Sequence, residues 1–459
     1  MKKIIQRTAL CLVILAVIVA TAITVLHTFG YEDLFSKETS AETTTTEETT
    51  TETTTAPETT SEVNTLPGET VTMQEPVVDF SDFSVIDVLP LSLASGSWDV
   101  RHCQGIAVDK QKGYIYYSYT HTFVKCDFAG NVMGTIININ GHLGDICFNE
   151  EDGKIYASLL PPGKKALYVA IIDVDNLEEI NLDAVGCGLV RTVHIHEIWN
   201  DRKTLVKFDN MEYTQKYGIS GLDGVCFGPS FNTGEGNYLT IGCGMSTNTQ
   251  RKDNDYQVLL QYDVEAWWNV YAKPLSRTEY HHSGPYTHNG KFFVYTGRTT
   301  SGIQTMTYFD EMNVWLLFVY KTRKDNFNKY TLFVVDGDIK PYKAELIGQP
   351  EPDEQYVLTL YPDGDFDKKN NIYGWYANQG NKGIEYMGGG LFYIVHPFKT
   401  WYETQTAVAY LYVWDPEKES PFSLAAGIGN DYTISKKITV TTTNPQITNT
   451  TVKETENEQ

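Results

Sequence analysis

Apolar and polar residues alternate in short runs across most of residues 77–434, and Gly, Asn and Asp separate the runs. A period of two sends successive side chains to opposite faces of a strand, so these runs predict strands joined by tight turns. No stretch of twelve or more residues here carries a convincing helical period. The segment is expected to be all-β.

One strand–turn–strand unit recurs. RHCQGIAVDKQKGYIYYS (101–118) returns 40 residues later as GHLGDICFNEEDGKIYAS (141–158). His102 aligns with His142, Ile106 with Ile146, Gly113 with Gly153, and Tyr116 with Tyr156. Further copies are DGVCF (223–227) leading to NYLTIGC, IQTMTYFDEMNVWLLFVYK (303–321) and KGIEYMGGGLFYIVHP (382–397), with a poorer one at SGPYTHNGKFFVYTG (283–297). The pairs Ile106/Val108, Ile146/Phe148, Val225/Phe227 and Ile384/Tyr386 stand at alternate positions, which predicts one strand face packed between sheets. The first copy reads on as strands at 104–109, 113–120, 122–127 and 131–138, and the second continues through ALYVAIIDVD (166–175).

Four short strands in each repeat of roughly 40–50 residues resemble the blade of a β-propeller. The resemblance covers most of 98–432 and is to propellers in general, with no copy specific enough to name a family. It implies six blades, with five and seven as alternatives, because 144–223 has room for two and 282–304 too little for one. Closure is expected from 83–92 lying beside 407–415.

The flanks differ in kind. Lys2, Lys3 and Arg7 precede a weakly polar-to-apolar run from Ala9 to Leu26. That run is long enough to cross a bilayer as a helix with its N-terminus inside. Cleavage after Ala22 would make it a secretory signal instead. Residues 31–75 hold eleven acidic groups against one Lys and are otherwise rich in Thr. Such a tract buries too little apolar surface to offset its ordering entropy, and it resembles the stalks of Gram-positive surface proteins. The expected plan is a signal-anchor or signal peptide at 1–30, a disordered stalk at 31–76, a propeller at 77–434 and a disordered tail at 435–459. It predicts a single-pass, membrane-tethered bacterial protein with an extracellular propeller, or a secreted one if the anchor is cleaved.

The net charge of −22 argues against nucleic acid and anionic lipid as partners, since both need clustered Lys and Arg. Eight Trp and 30 Tyr supply flat faces suited to sugar rings. Six cysteines lie outside the anchor. Cys147 and Cys226 occupy equivalent repeat positions and read as small buried hydrophobes, whereas Cys103 with Cys126 is the one pair to test as a disulfide.

Three groups of residues could carry chemistry. The first opens the innermost strands, where a propeller collects polar side chains at its central funnel: His102, Gln104, His142, Gly144 with Asp145, Asp223, Gln304 and Lys382, with His282 from the poorer copy. The second is PDGDFDKKNN (362–371), where Asp363, Asp365, Asp367 and Asn371 suit calcium. That loop resembles the calcium loops of integrin-type propellers but has Lys368 where Gly is usual. The third is VHIHEIW (193–199), whose His194 and His196 would share a strand face as zinc ligands do, with no third ligand evident. No G-x-S-x-G, activated Cys or phosphate-cradling Gly loop is present.

These readings favour a binding protein that takes an extracellular ligand at its funnel and at aromatic loops such as NIYGWYANQGN (371–381). Carbohydrate or cell-wall glycan comes first, then a protein ligand. The alternatives are a propeller enzyme (a glycoside hydrolase or a calcium-dependent lactonase-like hydrolase) and a structural or protein-interaction scaffold.

Overall fold

The computed structural model describes residues 89–425, apart from 209, 298, 299, 378 and 401–403. The expected anchor, stalk and tail lie outside the described residues. Among the described residues no helix is long and apolar enough to cross a membrane.

Five sheets surround a central axis, each with its first strand innermost. Blade I comprises Cys103–Asp109, Tyr114–Tyr119, Thr122–Asp127 and Val132–Ile137, close to the strands predicted from the repeat. Blade II comprises His142–Asn149, Lys154–Leu160, Tyr168–Asp173 and Val190–His194. Blade III comprises Ile219–Gly228, Tyr238–Met245, Tyr256–Tyr262 and Gly290–Tyr295. Blade IV comprises Thr300–Phe309, Val314–Tyr320 and Leu332–Asp336, with bridges from Leu332 to Trp375 and from Val335 to Leu360 on its outer side. Blade V comprises Ile384–Gly388, Leu391–Lys399 and Gln405–Trp414.

The fourth strand of blade V comes from the other end of the propeller. Ser92–Trp98 pairs antiparallel with Gln405–Trp414, Ser92 opposite Tyr410. The closing partner is the expected one; of the expected 83–92, residues 83–88 lie outside the described residues, and the described strand is Ser92–Trp98. Ser95 locks the joint: its hydroxyl lies 2.6 Å from the Tyr119 hydroxyl of blade I and accepts the Ala407 N–H at 3.0 Å.

The blade number corrects the expectation of six. The weak copy at 283–297 supplies Gly290–Tyr295, which pairs with Tyr256–Tyr262 as the outer strand of blade III rather than opening a new sheet. The long 144–223 interval holds one blade, plus a helix (His196–Lys203) and a hairpin (Leu205–Phe208 with Met211–Thr214). His196 thus begins a helix, so the expected strand face shared by His194 and His196 does not form.

Innermost strands leave one backbone edge facing the axis, and four of them bulge at the same point. The register shifts between Cys103 and Gly105, Leu143 and Ile146, Leu222 and Val225, and between Ile303 and Thr305. A bulge adds a residue and re-aims the side chains around it. Here it sets Gly105, Asp145, Gly224 and Thr305 at one aligned level, with Gly383 in blade V. Only Asp145 carries a long side chain there, and it is 2% exposed. Its Oδ2 accepts the N–H of Val225 at 3.0 Å and of Met306 at 3.2 Å, joining blade II to blades III and IV. Gly105 makes room on the opposite side, for a Cβ there would stand 2.7 Å from Asp145 Oδ1. Burial pushes the Asp145 carboxyl well above the usual range, against the opposing pull of the Val225, Met306 and Ile146 N–H groups.

Removing this carboxylate strands two buried donors, at about 1–3 kcal/mol each. Asp145→Ala should therefore lower the unfolding free energy by about 2–5 kcal/mol in a urea titration, and Asp145→Asn by less, since an amide oxygen still accepts. Wild-type stability in Asp145→Ala would show that the donors do not depend on it.

Candidate functional site

The channel has two ends with different chemistry. Where the inner strands start, His102 Nε2 and Gln104 Nε2 lie 3.0 Å apart, and Gln104 donates to Thr120 Oγ1 at 3.4 Å. The Lys382 ammonium donates to the Tyr320 hydroxyl and sits 5.0 Å from that ring's centroid. Partial enclosure, then the positive field of Lys382, His142 and Arg101, lowers the His102 imidazole to about 4, although its outer edge stays exposed. Across the axis, loss of hydration raises Asp223 to about 7, against a Gln304 hydrogen bond and the Lys164 charge. The bulges thus gather His102, Gln104, His142 and Lys382 on one side of this mouth, and Asp223 with Gln304 on another. Asp145 lies below them, shut in by its backbone partners.

His282 is not part of this mouth. It stands on the loop before Gly290–Tyr295, with its ring 4.6 Å from His194 and 5.8 Å from Trp199. The error follows from treating the outer strand of blade III as an inner one.

Where the inner strands finish, the channel widens into a cavity of about 410 Å³ to which all five blades contribute. Its walls include Phe148, Phe227, Tyr308 and Tyr386, which occupy one repeat position in four successive blades. Each ring leans on another aromatic: Phe148 on Tyr116 and Phe227 on Tyr156 of the preceding blade, Tyr308 on Trp315 and Tyr386 on Phe392 of its own. One residue earlier in each inner strand, the repeat offers Ala107, Cys147, Cys226, Thr307 and Glu385. Four of these are small, and the fifth is a carboxylic acid in the cavity wall. Among the described residues nothing hydrogen-bonds the Glu385 carboxyl. Though open to the cavity, it is otherwise walled by protein, and lost hydration pushes it up to about 8, Lys110 opposing and Glu150 adding to the rise. Lys110, Glu150, Glu151, Asn237 and Asp310 complete the lining.

Glu385 escaped the sequence reading, yet the signal was present. The repeat alignment holds a charged residue where three relatives have Ala or Cys. Alternation alone assigns Phe148, Phe227 and Tyr386 to packing, because it does not distinguish a blade interface from a channel wall.

Other expected sites resolve as structural chemistry. Asp365–Asp367 and Ile372–Gly374 form a hairpin. Asp367 accepts the N–H groups of Lys369 and Asn370, Asp365 accepts the Tyr330 hydroxyl at 2.9 Å, and Asp363 caps Gly364. Asn371 takes the left-handed conformation (φ 56°) that closes the turn. These hydrogen bonds hold the expected calcium loop as a hairpin. Among the described residues no group of three or more His, Cys, Asp and Glu side chains is placed to hold a metal ion. In the aromatic loop 371–381, Trp375 is 1% exposed and packs between blades IV and V. Cys103 and Cys126 are both free and buried.

A second cavity, about 570 Å³, lies beside the helix His196–Lys203. Glu197 and Asp201, one turn apart, both take the Lys291 ammonium, Glu197 at 2.7 Å. Their charges are committed to one another and fasten the helix to blade III.

Asp223 and Glu385, two of the channel's three raised carboxyls, set a pH dependence. Asp223 and Glu385 stand above their ordinary 3.8 and 4.5, so the native chain binds more protons than the unfolded chain between about pH 4 and about pH 8. Their contribution therefore falls as pH rises across that window. Glu385→Gln should match the wild-type melting temperature near pH 4 and exceed it increasingly up to about pH 9. Parallel curves would contradict the burial assigned to this carboxyl.

No family model matches the chain, and no curated protein does. Among solved structures it is similar to the β-propeller domain of Cps50 (Swd1) from Myceliophteria thermophila, at 10% identity over 70% of this chain and 71% of that one, TM-score 0.30. It is also similar to the Dos1 propeller (11%, 71% and 73%, TM-score 0.28) and to a luciferin-regenerating enzyme (11%, 68% and 92%, TM-score 0.28). Likenesses this distant carry no functional argument, and the fold rests on the sheet order and the closure by Ser92–Trp98. On that topology, the chain is a β-propeller of five blades.

Proposed function

We propose that this is a ligand-binding propeller whose site is the cavity at the finishing end of the channel, with carbohydrate or cell-wall glycan as the ligand class. The observation that carries this reading is the repeated aromatic position, Phe148, Phe227, Tyr308 and Tyr386, brought by four blades around one concave space. Aromatic faces take the apolar side of a sugar ring, while carboxyl and amide groups such as Glu150, Asp310 and Asn237 take its hydroxyls. The cationic flank, the apolar run Ala9 to Leu26 and the Thr/Glu tract support export and membrane tethering, with the propeller held outside the cell.

A hydrolase is the second reading. It is favoured by one feature, the raised Glu385 carboxyl close enough to Glu150 to feel its charge, as a general acid beside a second carboxylate would be.

Glycan-array screening of the full chain in detergent, followed by calorimetry, tests both. Asn237→Ala and Glu150→Ala should weaken the best glycan by about tenfold, as loss of one to two polar contacts does. Gln104→Ala, at the other mouth, should leave it unchanged. Loss of binding in Gln104→Ala alone would move the site to the starting end, and absence of any glycan hit would remove the ligand class. Recovery of intact glycan supports the binder, and cleavage abolished by Glu385→Gln supports the hydrolase.

A further inference from the structure

The finishing-end cavity has a marked charge asymmetry. Glu150, Glu151, Asp310 and Glu385 face it, and Lys110 is its one basic lining residue. An aromatic wall beside carboxylates suits a positive charge, because the ring face is the negative end of its quadrupole.

The protein already performs this recognition on itself. The Lys110 ammonium lies 5.4 Å from the centroid of the Tyr386 ring, at cation–π range. It makes no ion pair within 4.0 Å of a carboxylate among the described residues. A flexible side chain from blade I therefore holds an ammonium against the cavity's aromatic wall without being fixed there.

A second, independent feature is the Tyr386 hydroxyl. The residue is 4% exposed, and its hydroxyl makes no well-formed hydrogen bond, with the Glu311 and Asp310 carboxylates as its polar neighbours. A buried hydroxyl without a partner is costly unless something else meets it. With the unbonded Glu385 carboxyl, it marks an acidic and incompletely hydrogen-bonded stretch of the cavity wall.

We infer that the ligand of this cavity carries a positive charge, an amine-bearing sugar or an alkylammonium group, and that the Lys110 ammonium occupies its place until it binds. This rests on the reading of the cavity as the ligand site and narrows it: a neutral sugar would leave the carboxylates unneutralised. Displacing Lys110 frees the Tyr386 ring face for the incoming cation; the Glu150 carboxylate is close by, and a cation beside Glu385 would favour that group's ionised form.

The probes are two matched pairs titrated into the full chain: choline against its neutral isostere 3,3-dimethylbutanol, and glucosamine tetramer against its fully N-acetylated counterpart. The charged member of each pair should bind about tenfold more tightly, the size of one partly desolvated cation–π contact with its carboxylate. Lys110→Met should tighten choline several-fold and leave dimethylbutanol unchanged, while Glu385→Gln should weaken choline. Melting curves of both variants establish that they fold. Equal binding of choline and dimethylbutanol, or no binding of either, overturns the inference. If the acetylated tetramer binds and choline does not, the inference falls and the glycan reading stands. If choline binds and neither tetramer does, the inference stands and the glycan reading falls.

Discussion

Five inner strands meet around an axis with no sixth strand to pair their free edges. Their N–H groups need acceptors, and Asp145 supplies one carboxylate oxygen to two of them, on Val225 and Met306. Everything else about the channel depends on this contact. It requires a long acidic residue in one blade and small residues at the same level elsewhere, which is what Gly105, Gly224 and Gly383 provide. It also blocks the channel part way along, so the two mouths are separate surfaces. An unanswered donor in so enclosed a place is expensive, and bulges at four blades hold the geometry that avoids it.

Separation lets the two mouths diverge. The starting end gathers Arg101, His102, His142 and Lys382, a basic set, around Asp223 and Gln304. The finishing end collects carboxyls and aromatic rings around a cavity to which all five blades contribute. A chain of net charge −22 thus places the Arg101 and Lys382 cations at one mouth and an acidic pocket at the other.

Much of the fold was legible because duplication preserved the strand pattern. The blade I strands and the closing partner could be read directly, since alternation and turn residues persist in each copy. The blade number could not be read, because an outer strand such as Gly290–Tyr295 has the same alternation as an inner one, and only pairing tells them apart. The aspartates at 363, 365 and 367 illustrate the same limit. Their spacing suits both an ion and a tight hairpin, and the backbone donors of Lys369 and Asn370 close the hairpin. Glu385 was missed for another reason: its meaning lies in its neighbours across the axis, and those belong to other blades.

The central claim is that the finishing end, rather than the starting end, meets the ligand. Hydrogen–deuterium exchange of the full chain with and without glucosamine tetramer tests it most directly. The account predicts slowed exchange in the turns at 149–153, 228–237 and 310–313, which border the cavity, and unchanged exchange at 100–104, 140–145 and 301–304. Protection confined to the second set would contradict it.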